Sequence, residues 1–395
     1  MARSRMSRGV VVMMLALLSS MLGSPASGAT DGGQSSSWKD VPPKHWARAA
    51  VDFVAGDHTW MQDYGSALFR PNAEESRKYL ARAIVIAFAQ TEPIDPLTRF
   101  DDLPATDAFY RFANVAVKLH WIEADGDHFL PDQPVTMTEV HRALVMAVGL
   151  GDVAAGFDRI HTTDGYVFRH QRDLGVLEIG MQLGLRYNHD DESLDVQPDE
   201  ALPRSEVAWS LYRAAIATTT ESWRIRALAT GGFARIHLGP LSPAMRKVVE
   251  FGMRYVGYPY IYAGEWPQPT PTGYCCGAQP QGGFDCSGLT WWLMKAPSGT
   301  YDNSALRGYR GWTLQERSSR DMAATGKKLT YAEARAGDLL FYDGDDDGVV
   351  DHVDVYIGYG WALDSSNGVG GVTVLRVKTG WYQDHFVHAR RIVKV

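Results

Sequence analysis

The sequence predicts a multi-domain protein: a mainly α-helical triple repeat followed by an α+β domain with helices packed on an antiparallel sheet. Three observations lead there. One helical hydrophobic stripe recurs three times between residues 38 and 217. From residue 242 onward the chain opens with a capped helix and closes in strand-like runs punctuated by glycine. Finally, 395 residues exceed what one hydrophobic core usually serves.

The first 29 residues fall outside this plan. Arg3, Arg5 and Arg8 precede a 14-residue apolar run from Gly9 to Leu22, and small residues follow as far as Ala29. This is the pattern of a secretory signal peptide, with cleavage expected after Ala29, and the run is too short for a spanning helix. Export to the cell surface or wall is the expectation. Removing those three arginines from 39 basic residues leaves 36 against 46 acidic ones, a net charge of −10. So acidic a surface repels nucleic acid, and no basic, aromatic-interleaved stretch offsets it.

Aligning Pro71, Pro131 and Pro198, which are 60 and 67 residues apart, puts three helices in register. Their stripes are Leu80, Ala83, Ile84, Ala87 and Phe88; Val140, Ala143, Leu144, Ala147 and Val148; and Val207, Ser210, Leu211, Ala214 and Ala215. The spacing i, i+3, i+4, i+7, i+8 buries one face of each. An earlier stretch, "WKDVPPKHWARAAVDFVAGD", adds a helix through Trp46, Ala49, Ala50 and Phe53. These features resemble surface-layer homology repeats over 38–217 (about 38–90, 100–150 and 155–217). That family implies a compact helical unit that holds secondary cell-wall polysaccharide, with a Thr-Arg pair at the groove. Here the pair reads Ser76-Arg77, Thr136-Met137 and Pro203-Arg204, so the middle repeat lacks its arginine.

Residues 218–241, containing "ATGGFARIHLGP", read as a linker. Ser242 and Pro243 then supply an N-cap and first-turn proline, and Gly257 a stop. "FDCSGLTWWLMK" reads as a turn feeding a helix with Cys286 in its first turn, where unpaired amides and the helix dipole favour a thiolate. A thiolate enzyme needs a base, and His352 opens the strand-like run "HVDVYIG". Val353 and Val355 take the opposite face of that run from His352. The expectation is therefore that His352 points toward the end of the Cys286 helix.

The order of "GYPY" (257–260), "DCSGL" (285–289), "GDLLF" (337–341) and "HVDVYIG" (352–358) resembles the NlpC-type cell-wall peptidases, papain-like cysteine enzymes of bacteria. The resemblance spans 242–395. It implies hydrolysis of peptidoglycan stem peptides, commonly between D-glutamate and a diamino acid, with Cys286 as nucleophile and His352 as base. It also implies Asp364 as the residue orienting His352, with Ser365 or Asn367 taking that place if the register slips. Tyr260 matches the tyrosine beside the nucleophile, while Asp285 and Ser287 match substrate-contacting positions. The chemistry requires no cofactor.

"DGDDDGVVDHVD" (343–354) has the spacing of a calcium loop, giving Asp343, Asp345, Asp347, the Val349 carbonyl and Asp351 as candidate ligands. Position 12, Asp354, falls where the peptidase family usually has a small residue. A solvated acidic hairpin accounts for the same residues equally well. Cys275 and Cys276 lie in an insertion before the nucleophile helix and lack the spacing of a zinc site. In an oxidising compartment they could form a vicinal disulfide, or one could transiently cap Cys286.

Overall fold

The computed structural model describes residues 38–61, 67–294, 314 and 316–392; the expected signal peptide, 1–29, lies outside them. Helix α1 (Arg48–Val51) widens into a π turn over Asp52–Asp57. It is followed by α2 (Arg77–Phe88), α3 (Tyr110–Lys118), α4 (Met137–Ala147), α5 (Gly151–Phe157), a short strand β1 (His161–Thr162), α6 (Leu174–Leu183) and α7 (Arg204–Thr219). Leu80, Ala83, Ile84, Val140, Ala143, Leu144, Val207, Leu211 and Ala214 are all buried, so the repeated stripe is the core of this half.

The helices α2, α4 and α7 close on one another as a ring. The Glu75 amide donates to the Leu202 carbonyl at 3.0 Å, Leu202 to Val135 at 2.8 Å, and Val135 back to Glu75 at 2.8 Å. A helix leaves its first amides without internal partners, and here each helix finds them in another repeat's turn. Lys78 donates to Pro131 O, Thr138 to Pro198 O and Ser205 to Pro71 O. The aligned prolines thus contribute their carbonyls, one at each junction.

Two junctions are filled by the arginine that opens the helix. Arg77 Nε donates to Phe129 O and Arg204 Nε to Phe69 O, both at 2.8 Å; Arg77 pairs with Glu139 and Arg204 with Glu75. The third junction has Met137 instead. There Arg186, from the turn after α6, donates to Val196 O at 2.6 Å, the carbonyl two residues before its proline, as Phe69 and Phe129 are. Arg186 also reaches Gly257 O at 3.3 Å, tying this junction to the second half of the molecule.

Residues 218–241, expected as a linker, are built into the fold. They carry α8 (Ser222–Thr230) and β2 (His237–Leu238), the latter paired with β1. Phe233 is buried against Phe157 and Trp361. Apolar side chains at 228, 233, 236, 238 and 241 hold the stretch down despite its glycines.

Helix α9 (Pro243–Met253) starts as expected, with the Met245 amide donating to Ser242 Oγ. The strands β3 (Glu265–Trp266) and β4 (Gly283–Phe284) pair, and α10 (Cys286–Met294) and α11 (Ser319–Met322) follow. The main sheet comprises β5 (Lys327–Leu329), β6 (Leu339–Tyr342), β7 (His352–Gly358), β8 (Trp361–Ser366) and β9 (Gly371–Arg376), then α12 (Gly380–Asp384) and β10 (Phe386–Arg391). All its strands are antiparallel, in the order β5-β10-β6-β7-β8-β9.

Helices α9 and α10 lie on the Val355/Leu363 face, where a Cβ on Gly252 would meet Leu363 at 2.5 Å. The opposite face carries Leu340, Tyr342, Tyr356 and Ala362, with Trp381 and Tyr382 of α12 packed over it.

Candidate active site

Cys286 is the first residue of α10, buried, and the free cysteine among the described residues. Asp285, just before it, accepts the Gly288 amide on Oδ1 at 2.5 Å and so caps the helix. The turn feeding the helix is tightly sewn. Ser365 Oγ donates to Phe284 O at 2.7 Å, the Phe284 amide to Pro259 O and the Asp285 amide to Gly264 O. Gly288 is required, because a Cβ there would lie 1.9 Å from Gly264 O.

His352 begins β7. Its ring faces the α12 side of the sheet, not the side covered by α10, which corrects the expectation drawn from strand alternation. The thiol and the start of β7 come together at the end of the sheet, where β7 and α10 both begin. Cys286 Sγ lies 4.0 Å from the carbonyl of Asp351, the residue before the histidine. Alternation separates two faces but does not say which one a helix covers, and a strand's first residue is reachable from both.

Asp364 on β8 is 1% exposed, and its Oδ1 stands 3.0 Å from His352 Nε2. The Tyr382 hydroxyl donates to Oδ2 at 2.8 Å. Burial opposes the charge on Asp364, but the charge of His352 and the hydroxyl of Tyr382 outweigh it and keep the carboxyl below its usual range. Burial likewise opposes a charged His352, yet Asp364 and Cys286 raise it well above an ordinary histidine. Trp381 stands edge-on to the imidazole at a centroid distance of 5.7 Å, and Tyr342 and Tyr382 complete the wall.

Tyr260 is half-buried, its phenol pushed up by burial and then by Cys286 and Asp285. Its turn is laid along the edge of β9, with Gly257 N donating to Val372 O and Tyr260 N to Gly370 O. The repeat half braces the same turn through Glu192 Oε1, which accepts the Tyr262 amide at 2.5 Å, and the segment before β4 through Asp195 O, which accepts from Gln281 Nε2.

Asp285 and Ser287 are buried under a residue the sequence reading missed. Arg317 Nη1 donates to Asp285 Oδ1 at 3.0 Å and to Ser287 Oγ at 2.8 Å, while its Nε pairs with buried Glu265 at 2.8 Å. Arg317 belongs to none of the four motifs, so nothing in the sequence pointed to it. Tyr382 and Trp381 were missed for the same reason.

In the acidic loop, Asp343, Asp345 and Asp351 bring oxygens within 4.8 Å of one another. Asp343 accepts the Asp347 and Gly348 amides, and Asp347 accepts the Val349 amide. Asp345 is held above its usual range, first by the charge of Asp347. Three of the five candidate ligands thus converge, and Asp347 is turned to its own backbone. Cys275 and Cys276 form a vicinal disulfide, and the Cys275 amide donates to Glu265 Oε1 at 3.1 Å.

Comparison with known proteins gives this geometry a context. The chain is 31% identical over 146 residues to the bifunctional muramidase/DL-endopeptidase CwlT of Bacillus subtilis (strain 168), covering 37% of this chain and 36% of that protein. It is 33% identical over 150 residues to the peptidoglycan endopeptidase RipB of Mycobacterium tuberculosis, covering 38% of this chain and 55% of that one. The chain therefore spans between about a third and about a half of these relatives' lengths. The solved structure of the peptidoglycan hydrolase RipB from Mycobacterium tuberculosis is similar at 28% identity and a TM-score of 0.29, over 46% of this chain and 86% of that chain. Residues 257–391 match the NlpC/P60 family. The C-terminal part of this chain, which carries Cys286, His352 and Asp364, is an NlpC/P60 domain.

Proposed function

We propose that this chain is a secreted cysteine peptidase that hydrolyses peptidoglycan stem peptides at the bond between D-glutamate and a diamino acid. The observation that carries this reading is a thiol at a helix N-terminus, 4.0 Å from the carbonyl of the residue before His352, together with a His352 Nε2 that lies 3.0 Å from a buried carboxylate. The Cys286 thiolate attacks the scissile carbonyl carbon, and the Cys286 amide donates to the oxyanion. His352 passes its proton to the leaving amine as the carbon–nitrogen bond breaks. Water then attacks the thioester, His352 takes its proton, and the acid product leaves with the thiolate restored. Asp364 holds the imidazole in one tautomer and stabilises its charged form. The names of the relatives, peptidoglycan endopeptidases among them, support the substrate class.

Around this chemistry, residues 1–29 act as a signal peptide and 38–217 hold secondary wall polysaccharide as surface-layer homology repeats do. The repeat pattern supports that role, although Arg77 and Arg204 themselves serve the ring junctions. Calcium held by the 343–351 loop would order the chain just ahead of His352; the convergence of Asp343, Asp345 and Asp351 supports it.

The test is mass spectrometry of peptidoglycan fragments digested by the protein lacking residues 1–29 and by its Cys286→Ala variant. New termini at the glutamyl bond with the first and none with the second are expected. An unchanged fragment profile with the unsubstituted protein, or equal cleavage by Cys286→Ala, overturns the proposal. A transfer product in the same spectrum would mark an acyltransferase.

A further inference from the structure

His352 Nε2 has two carboxylates beside it. The register of β7 and β8, with Val355 opposite Leu363 and Tyr356 opposite Ala362, sets Asp354 directly across from Asp364. Asp354 is 0% exposed, and its Oδ1 lies 3.2 Å from the Nε2 that stands 3.0 Å from Asp364. One ring N–H cannot satisfy two carboxylates. Like charges facing each other across a sheet are destabilising, and in a sealed site only one of two adjacent carboxyls ionises. Asp364 has the stronger claim to the charge, because it also receives the Tyr382 hydroxyl.

We infer that Asp354 is a positioning residue of the proposed catalytic apparatus, present as the carboxylic acid and sharing its proton with Asp364, so that a dyad and not Asp364 alone holds the His352 ring. This rests on His352 being the base. The groups that face Asp354 are His352 on its own strand, Asp364 on β8, Tyr342 on β6 and Tyr382 on α12. Burial, and then the charge of Asp364, push the Asp354 acid up to about 8, with His352 pulling the other way. The acid proton gives Asp364 a donor that stabilises its charge. Losing that proton to solvent puts a second negative charge in the closed space, drives the two carboxylates apart and releases the ring. Activity then falls on the alkaline side.

The test compares the unsubstituted protein with Asp354→Asn, which stays neutral and keeps an N–H donor for Asp364, and with Asp354→Val, which keeps the volume and has no donor. Two readouts are followed from about pH 5 to about pH 10, across the ordinary and raised carboxyl ranges. They are kcat/KM for fragment cleavage and the rate at which iodoacetamide alkylates Cys286. Asp354→Val is expected to lose about tenfold in kcat with little change in KM, the scale of one hydrogen bond to a charged group. Asp354→Asn is expected to recover to within about threefold and to lack the alkaline decline. Undiminished kcat in Asp354→Val, or superimposable alkaline limbs for Asp354→Asn and the unsubstituted protein, overturns the inference. Alkylation needs no peptidase activity. If no fragment is cleaved at all, the proposed function fails, while the alkylation profile still decides whether Asp354 acts on the thiol–imidazole pair.

Discussion

Glu178 provides a measurable link between the two halves of the molecule. It sits on α6, is 0% exposed, and its Oε2 accepts the Val374 amide of β9 at 2.9 Å while Oε1 accepts from Gln182 at 3.0 Å. Burial pushes its carboxyl from 4.5 to about 8, against those two hydrogen bonds. Above pH 4.5 the unfolded chain therefore carries the ionised form while the folded chain keeps the acid. The folded state binds the extra proton, so stability is fully present below pH 4.5 and is lost progressively as pH rises to about 8. At about 1.36 kcal/mol per unit, the loss at pH 7 is about 3 kcal/mol. Glu178→Gln is neutral at every pH and keeps an oxygen for Val374. Its altered contact with Gln182 costs about 1 kcal/mol, leaving a net gain of about 2 kcal/mol at pH 7. Urea unfolding of both proteins at several pH values across that range reads the difference directly, and Asp354, which titrates in the same window, cancels in the subtraction. A variant whose stability runs parallel to that of the unsubstituted protein at every pH would mean that Glu178 does not hold its proton in the folded state.

Two further outcomes are expected. Arg317→Met removes the partner of two buried carboxylates, Asp285 and Glu265, and should cost about 3 to 5 kcal/mol in urea unfolding together with most fragment cleavage; unchanged stability would mean that the network is not sealed as described. If the 343–351 loop holds calcium, excess chelator should lower the cleavage rate and added calcium restore it, whereas equal rates in both conditions remove that role.

What could be read in the sequence divides along a physical line. The places of Cys286 in the first turn of a helix, of His352 at the start of a strand and of the helix start at Ser242-Pro243 were legible because each is defined by its immediate neighbours. The buried stripes of α2, α4 and α7 were legible because one helix's periodicity is local. Arg317 was not, since its partners Glu265 and Asp285 are 52 and 32 residues away and its own surroundings carry no pattern. Arg186 escaped for a related reason. The missing arginine of the middle repeat is replaced from outside the aligned column, by a residue that reaches the same carbonyl from another direction. The packing of residues 218–241 was hidden because their glycines signal a loop more strongly than five scattered apolar side chains signal burial.

The ring of junctions has a consequence for how the chain acquires its structure. The first junction, where α2 meets the turn at Pro131, joins segments that emerge early. The other two wait for the turn at Pro198 and the start of α7, and the Arg204–Glu75 pair that closes the circle joins residues 129 apart. Contacts so distant in sequence are slow to find, and a chain emerging from its N-terminus folds the near ones first. Until residues 204 and 205 are available, the carbonyls of Ala73 and Pro71 wait for the amides that open the third helix. The repeat half therefore completes as a unit and late. Because Arg186 and Glu178 bond to Gly257 and Val374, the turn and strand that flank the Cys286 helix take support from a half of the molecule that is completed by distant contacts.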